Sequence, residues 1–386
     1  MAEPGPEPID GFVAPDYGEM VPGRTLGDVL PAVATALGVD VGFHQTALRL
    51  PEAPAYVVFL VDGLGHELVR RHRADAPFLT SLLDGNDQAP VTCGVPSTTA
   101  TSLTSLGTAL TPGAHGLVGF TSRVPGTDRL LNALAWDKQV DPLEWQPHPT
   151  AFARLAGAGV HVSVLSKREF RDSGLTRASQ RGAEYVGVDR VGERLAGVVS
   201  AATERPSLSY VYDGDLDWTG HRYGVDSPQW RAQLSAVDDA LEQLREALDP
   251  AARLVVVADH GMVDSPPEAR TDVDEHLELR AGVRLLGGEA RFRHLYCAAG
   301  AVDDVVATWR GFLGDRAVVL TRDEAIDRGW FGHVEAQVRP RLGDVTVAMR
   351  GRHGVVSTTD FPYEARLVGL HGSLTPDEMY IPILVS

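Results

Sequence analysis

The chain has 386 residues, with 52 Asp and Glu against 35 Lys and Arg, and its formal net charge of -17 excludes a broad electrostatic footprint for polymeric nucleic acid or an anionic membrane. A small phosphate ligand stays compatible with that charge, because bound divalent metals reverse the local field of a pocket. A chain of this length buries roughly 75% of the surface its unfolded form exposes, so its core needs no disulfide staple, and Cys93 and Cys297 form no paired framework.

Residues 1–24 are acidic and proline-rich and read as a loose or surface-draped arm. They lack the positive and apolar regions of a signal peptide, so the expected location is the cytoplasm. Helical apolar spacing follows at 26–37. Apolar runs at 55–61, 160–165, 208–212 and 253–258 predict buried parallel strands, and helical stretches at 98–106, 150–156, 191–203 and 227–248 lie between or beside them. This alternation predicts an α/β fold with a mainly parallel central sheet flanked by helices. Over residues 273–350 the pattern changes, with strand character at 290–297 and 317–320 around a helical stretch at 302–313. A small inserted α+β cap is expected there, leaving a core of 25–272 and 351–386. Strand character returns at 379–386. No apolar run is long enough to span a bilayer, and no heptad or exposed apolar stripe is evident, so a monomer is expected.

The chemistry-bearing residues follow the strands, where ligand sites of open α/β sheets lie. Asp62 ends the first strand before a glycine turn, although an Asp there can also cap the helix that follows. Asp217 and His221 are four residues apart, which places both on one face of a helical turn. Asp213 and Asp215 are rival carboxylates ranked below Asp217. Asp259 and His260 end the most hydrophobic strand, where two ionisable groups are expensive unless paired or metal-bound. His371, between Leu370 and Gly372, offers a further imidazole or a plain turn residue. These O and N donors suit a divalent transition metal. Ser97, Thr98, Thr99, Thr101 and Ser102 open a helix, whose free N–H groups and dipole favour a bound phosphoryl group, so each is a candidate nucleophile or a simple cap.

Taken in order, Val61-Asp-Gly63, Pro96-Ser-Thr-Thr-Ala-Thr-Ser102, Pro112-Gly-Ala-His-Gly116, Asp217-Trp-Thr-Gly-His-Arg-Tyr-Gly224, Ala258-Asp-His-Gly-Met262 and His371-Gly372 resemble the nucleotide pyrophosphatase/phosphodiesterase branch of the alkaline phosphatase superfamily. The resemblance implies an alkaline-phosphatase-like core and two divalent metal ions, Zn2+ or Mn2+. It implies that Asp217, His221 and His371 hold one ion, while Asp62, Thr99, Asp259 and His260 hold the other. It also selects Thr99 as the nucleophile of a two-step displacement through a covalent intermediate. Ser102 stands where the family has Asn, as a candidate contact to a phosphoryl oxygen.

The absence of Lys and Arg from residues 95–117 favours diesters or pyrophosphates over monoesters, with Lys167, Arg168 and Arg171 as cations another loop can bring. Phe120, Trp136, Trp145, Trp218 and Tyr223 are candidate stacking surfaces for a base. The expected partner is a small nucleotide or dinucleotide. The chain resembles compact actinobacterial members of this branch, some of which hydrolyse cyclic di-AMP to pApA and AMP. Nucleotide pyrophosphates and phosphonoacetate are the alternative substrates, and a non-catalytic metal or nucleotide sensor is the alternative from another class.

Overall fold

Seven consecutive residues, Ala55–Val61, form a central strand in which every residue is buried. A strand covered by helices on both faces needs no polar alternation, which is why this segment is apolar throughout. The computed structural model describes residues 7–18, 22–85 and 89–386. Its main sheet has six strands in the order Ile383–Val385, Arg253–Val257, Ala55–Val61, Ser207–Asp213, His161–Ser166 and Glu184–Gly187. All neighbours are parallel except Ile383–Val385, which pairs antiparallel along Arg253–Val257. Val61 lies opposite Asp213 and Leu60 opposite Val257. That register brings Asp62, the helix Asp215–Tyr223 and the Asp259-His260 pair to the same edge of the sheet.

The four strands expected of the sheet are present within a residue or two of the expected limits, and so are the helices Thr99–Thr108, Ala151–Gly157, Val191–Ala201 and Pro228–Ala247. The last begins at a Ser227 cap whose side chain accepts the Trp230 N–H. The edge strand Glu184–Gly187 and the helix Gly174–Ser179 are additions to the expected set.

A separate four-stranded antiparallel sheet lies between the two parts of the main fold, in the order Val283–Glu289, Phe292–Cys297, Val345–Met349 and Ala317–Thr321. The helix Val302–Leu313 packs on it through Val305 and Trp309, which join Leu286, Leu295, Val345 and Val347 in a second apolar core. The tight turn between its first two strands points toward the main fold. There the fully buried Arg291 guanidinium donates to both oxygens of buried Glu378, at 3.0 and 2.6 Å. Glu364 accepts from the Ala290 N–H at 2.6 Å and also binds the Arg293 guanidinium.

Of the expected arm, residues 1–6 and 19–21 lie outside the described residues. The described part drapes over the core, with the Val13 N–H on the Leu374 carbonyl at 2.7 Å and Phe12 against Trp330. Among the described residues no helix is long and apolar enough to cross a membrane.

Removing one partner of a buried, doubly hydrogen-bonded ion pair leaves the other charge uncompensated, at a cost of about 3–5 kcal/mol. Arg291→Met should therefore lower the unfolding free energy in urea by about that amount. A loss below about 1 kcal/mol would show that the pair contributes little to stability.

Candidate active site

Asp62 does not cap a helix: the helix that follows, His66–Arg71, is preceded by Gly65 and has no side-chain cap. Its Oδ2 instead accepts from the Tyr212 hydroxyl at 2.5 Å, and its buried Oδ1 has no hydrogen-bond partner. Gly63 then turns with φ +74°, and a Cβ there would press on Asp217 at 3.1 Å, so a glycine suits the position on both counts. The Gly63 N–H donates to Asp259 Oδ1 at 3.0 Å. Asp259 is fully buried and its Oδ2 has no partner, nor has Asp217 Oδ1.

Three imidazoles face these carboxylates. His221 Nδ1 lies 2.7 Å from the Gly369 carbonyl, His371 Nδ1 2.9 Å from the Ser97 carbonyl, and His260 Nδ1 3.0 Å from the Gly261 carbonyl. A carbonyl only accepts, so each Nδ1 carries the proton and each Nε2 presents a lone pair to the cluster. His371 Nε2 and His221 Nε2 are 3.3 Å apart, two acceptors facing each other. His221 Nε2 is 3.3 Å from Asp217 Oδ2, while His260 Nε2 is 3.4 Å from both Asp62 Oδ1 and Asp259 Oδ2.

Burial, reinforced by the Asp259 and Asp217 carboxylates, pushes the Asp62 carboxyl well above its ordinary range. Burial also raises Asp217, and burial with His260 and His221 nearby drives His371 well below the usual imidazole value. Orphaned buried carboxylate oxygens and converging imidazole lone pairs are the donor set of a divalent cation, and the residues fit that group. Ligand atoms of Asp217, His221 and His371 lie within 4.8 Å of one another, as do those of Asp62, Asp217 and His260. Asp217 belongs to both groups, whereas the family resemblance implies it in one. The rival carboxylates are engaged elsewhere: Asp213 pairs with Arg194, and Asp215 with Lys167 at 2.8 Å.

The five hydroxyl candidates separate by their partners. Ser97 Oγ donates to the Ser373 carbonyl at 2.6 Å and accepts the Gly372 N–H, a structural latch. Thr98 precedes the helix without a side-chain cap, and Thr101 Oγ1 and Ser102 Oγ are buried without partners. Thr99 Oγ1 alone reaches the cluster, 3.2 Å from His260 Nε2 and 3.4 Å from Asp62 Oδ2. Ser102, three residues further along the same helix, lines neither cavity beside Thr99. His115 is structural: fully buried, it accepts the Leu117 N–H at Nδ1 and faces Ser105 Oγ through Nε2.

Two cavities open at Thr99. The larger, ≈ 510 Å³, is walled by Phe120, Trp218, Glu289, Tyr363 and His371, and its lining contains no Lys or Arg. Trp218 and Tyr363 are 50% and 69% exposed, leaving aromatic faces free for a ligand. Of the expected stacking residues, Phe120 and Trp218 line it, while Trp145 is buried beneath Arg341. Neither Trp136 nor Tyr223 lines either cavity, and neither do Lys167, Arg168 and Arg171. Lining residues without a sequence motif include Tyr212, Tyr363 and Glu289, the last delivered by the hairpin turn. Glu289 Oε2 accepts the Phe120 N–H at 2.7 Å, its buried Oε1 is unpartnered, and burial pushes its carboxyl up to about 8.

A family model described as type I phosphodiesterase/nucleotide pyrophosphatase matches residues 56–374. Murine ectonucleotide pyrophosphatase/phosphodiesterase 5 shares the fold with a TM-score of 0.66 at 18% identity, over 86% of this chain and 87% of that one. Phosphonoacetate hydrolase from Sinorhizobium meliloti 1021, solved with phosphonoacetate, has a TM-score of 0.65 at 18% identity, over 89% and 92% of the two chains. An uncharacterised pyrophosphatase/phosphodiesterase of Schizosaccharomyces pombe is 24% identical over 238 residues, 58% of this chain and 48% of its own length. Human ectonucleotide pyrophosphatase/phosphodiesterase family member 7 is 37% identical over 74 residues, 18% of this chain and 16% of its own. The matches thus span about half or less of these curated relatives.

Calorimetric titration of chelator-stripped protein with Zn2+ or Mn2+ should show two bound equivalents. Asp217→Asn should weaken both and His221→Ala one; uptake unchanged in both variants would exclude the cluster as the binding site. A second expectation concerns Glu289. The folded chain keeps its proton between the ordinary 4.5 and about 8, where the unfolded chain has lost it, so stability falls as pH rises through that window. Glu289→Gln should flatten this fall in urea unfolding curves, and an unchanged slope would place the titration elsewhere.

Proposed function

We propose, since the chain belongs to the type I phosphodiesterase/nucleotide pyrophosphatase family, that it is a metal-dependent hydrolase of nucleotide phosphodiesters or pyrophosphates with Thr99 as its nucleophile. The observation that carries this reading is the Thr99 hydroxyl, set at the start of a buried helix, within 3.4 Å of Asp62 and His260 and at the junction of two cavities without Lys or Arg.

Divalent cations held by Asp217, His221 and His371 and by Asp62, Asp259 and His260 would supply the positive charge that favours an ionised hydroxyl and offsets the charge on the phosphoryl oxygens. The chain's own part is positioning. Thr99 Oγ1 gives up its proton and bonds to phosphorus as the first alcohol leaves with a proton. Water then attacks phosphorus, the bond to Oγ1 breaks, and the threonine hydroxyl is restored. The helix Thr99–Thr108 holds Oγ1 in place, and its first-turn N–H groups, which have no intrahelical acceptor, face incoming negative charge. Tyr212 fixes Asp62, and the three backbone carbonyls fix the imidazole tautomers.

The larger cavity offers aromatic faces and the volume for a nucleoside. No Lys or Arg lines it to pair with a carboxylate or a second ionised phosphoryl oxygen, which weighs against phosphonoacetate and phosphomonoesters. Cyclic di-AMP, hydrolysed through pApA to AMP, is the specific substrate we put first. In the same reading Zn2+ or Mn2+ fills the sites, a monomer in the cytoplasm is the working form, and residues 273–350 act as a cap on the core of 25–272 and 351–386.

Metal-loaded protein should hydrolyse cyclic di-AMP and bis(p-nitrophenyl) phosphate in preference to p-nitrophenyl phosphate. Thr99→Ala should lower that turnover by at least about 10³-fold while nucleotide binding persists. A monoester preference, or full activity in the variant, would refute the assignment.

A further inference from the structure

The second cavity at Thr99 is smaller, ≈ 170 Å³, and shares Thr99, Leu134 and Asp217 with the first. Its wall comes from the chain after the strand His161–Ser166 and includes Ser166, Phe170, Ser173, Thr176, Gln180 and Tyr212. Beyond Asp62 and Asp217 of the metal cluster it is uncharged, and its volume is well short of the several hundred Å³ that a whole drug-sized ligand needs.

Most of its polar groups already have partners. The Tyr212 hydroxyl donates to Asp62, and Ser173 Oγ both caps the helix Gly174–Ser179 and bonds Thr176 Oγ1 at 3.0 Å. Outside the acidic cluster, Gln180 is 7% exposed and its Oε1 is buried without a hydrogen-bond partner. A buried amide oxygen left unmatched is costly, and a ligand that matched it would recover that cost on binding. A hydroxyl both donates and accepts, so it satisfies the Gln180 amide in either orientation.

We propose that this chamber is a second substrate subsite for an uncharged, hydroxyl-bearing group, so that the site selects diesters whose two arms occupy separate chambers with phosphorus at Thr99. The proposal rests on the phosphodiesterase reading and narrows its substrate class. It makes Gln180 a specificity residue that touches one arm of the substrate without touching phosphorus. A phosphomonoester, with one arm, leaves this chamber empty or the other.

The test uses two diesters whose arms are each of one kind, so the result does not depend on which arm enters. Both arms of the dinucleotide ApA carry sugar hydroxyls, whereas neither arm of bis(p-nitrophenyl) phosphate does. Gln180→Leu, in the full metal-loaded chain, should lower kcat/KM for ApA about tenfold, mainly through KM, and leave bis(p-nitrophenyl) phosphate within about twofold. Thr176→Val, which removes a neighbouring hydroxyl, should shift the ratio in the same direction and serves if Gln180→Leu fails to fold. An equal change on both substrates, no change on either, or wild-type turnover of the aryl diester without ApA overturns the subsite. Wild-type protein that hydrolyses neither overturns the phosphodiesterase reading itself.

Discussion

Asp62 and Asp259 are buried with half-buried Asp217 in one cluster, and among the described residues none is paired with a Lys or Arg. Taking like charges out of water together is among the most unfavourable things a fold can do. Here it follows from the sheet: parallel strands in register end at one edge, and the residues that leave those ends have no other place to go. The fold meets the repulsion with Tyr212, the Gly63 N–H and three imidazoles, each held by a backbone carbonyl in the tautomer that offers a lone pair. These groups orient the carboxylates but do not neutralise them. The remaining imbalance is what suits the cluster to a divalent cation and makes it a candidate metal site.

Holding His371 in that cluster requires a loop fixed from several directions. Ser97, two residues before Thr99, exchanges hydrogen bonds with Gly372 and Ser373, so the helix of Thr99 and the loop of His371 are tied together. Gly372, at φ +129°, sits where a Cβ would meet Glu289 Cγ at 2.6 Å, which is how the inserted hairpin comes so close. Glu378 accepts the Ser373 N–H at 3.0 Å and takes the Arg291 guanidinium from the same hairpin turn. The four-stranded sheet and the loop of His371 are therefore joined by packed, hydrogen-bonded neighbours.

The central sheet is legible in the sequence because strands buried on both faces, such as Ala55–Val61, leave an unbroken apolar run. The edge strand Glu184–Gly187 is not, since its residues are half-buried or exposed and its four positions show no repeat. The metal-binding candidates are legible for a related reason: each follows a strand or sits at helical spacing, so local order predicts a shared location. Side chains delivered by the insertion have no such signal. Glu289 follows two glycines in a hairpin and reaches the cavity only because Arg291 and Glu364 dock that turn. Ser102, where the family has Asn, carries no such local signal: its Oγ is buried in the same helix as Thr99, without a hydrogen-bond partner, and lines neither cavity.

An anionic substrate approaching a chain of net charge -17 meets repulsion at a distance, and the cavities beside Thr99 contribute no Lys or Arg to counter it. Affinity that does not come from bound cations must come from the uncharged parts of the substrate. The two cavities differ in the way this demands, one with exposed aromatic faces and the other with hydroxyls and an unmatched amide. In the proposed reading a nucleotide diester presents a base to one and sugar hydroxyls to the other, whereas a compact dianion without such groups uses neither. Under the proposed function, selectivity thus depends as much on the cations the walls lack as on the donors of the cluster.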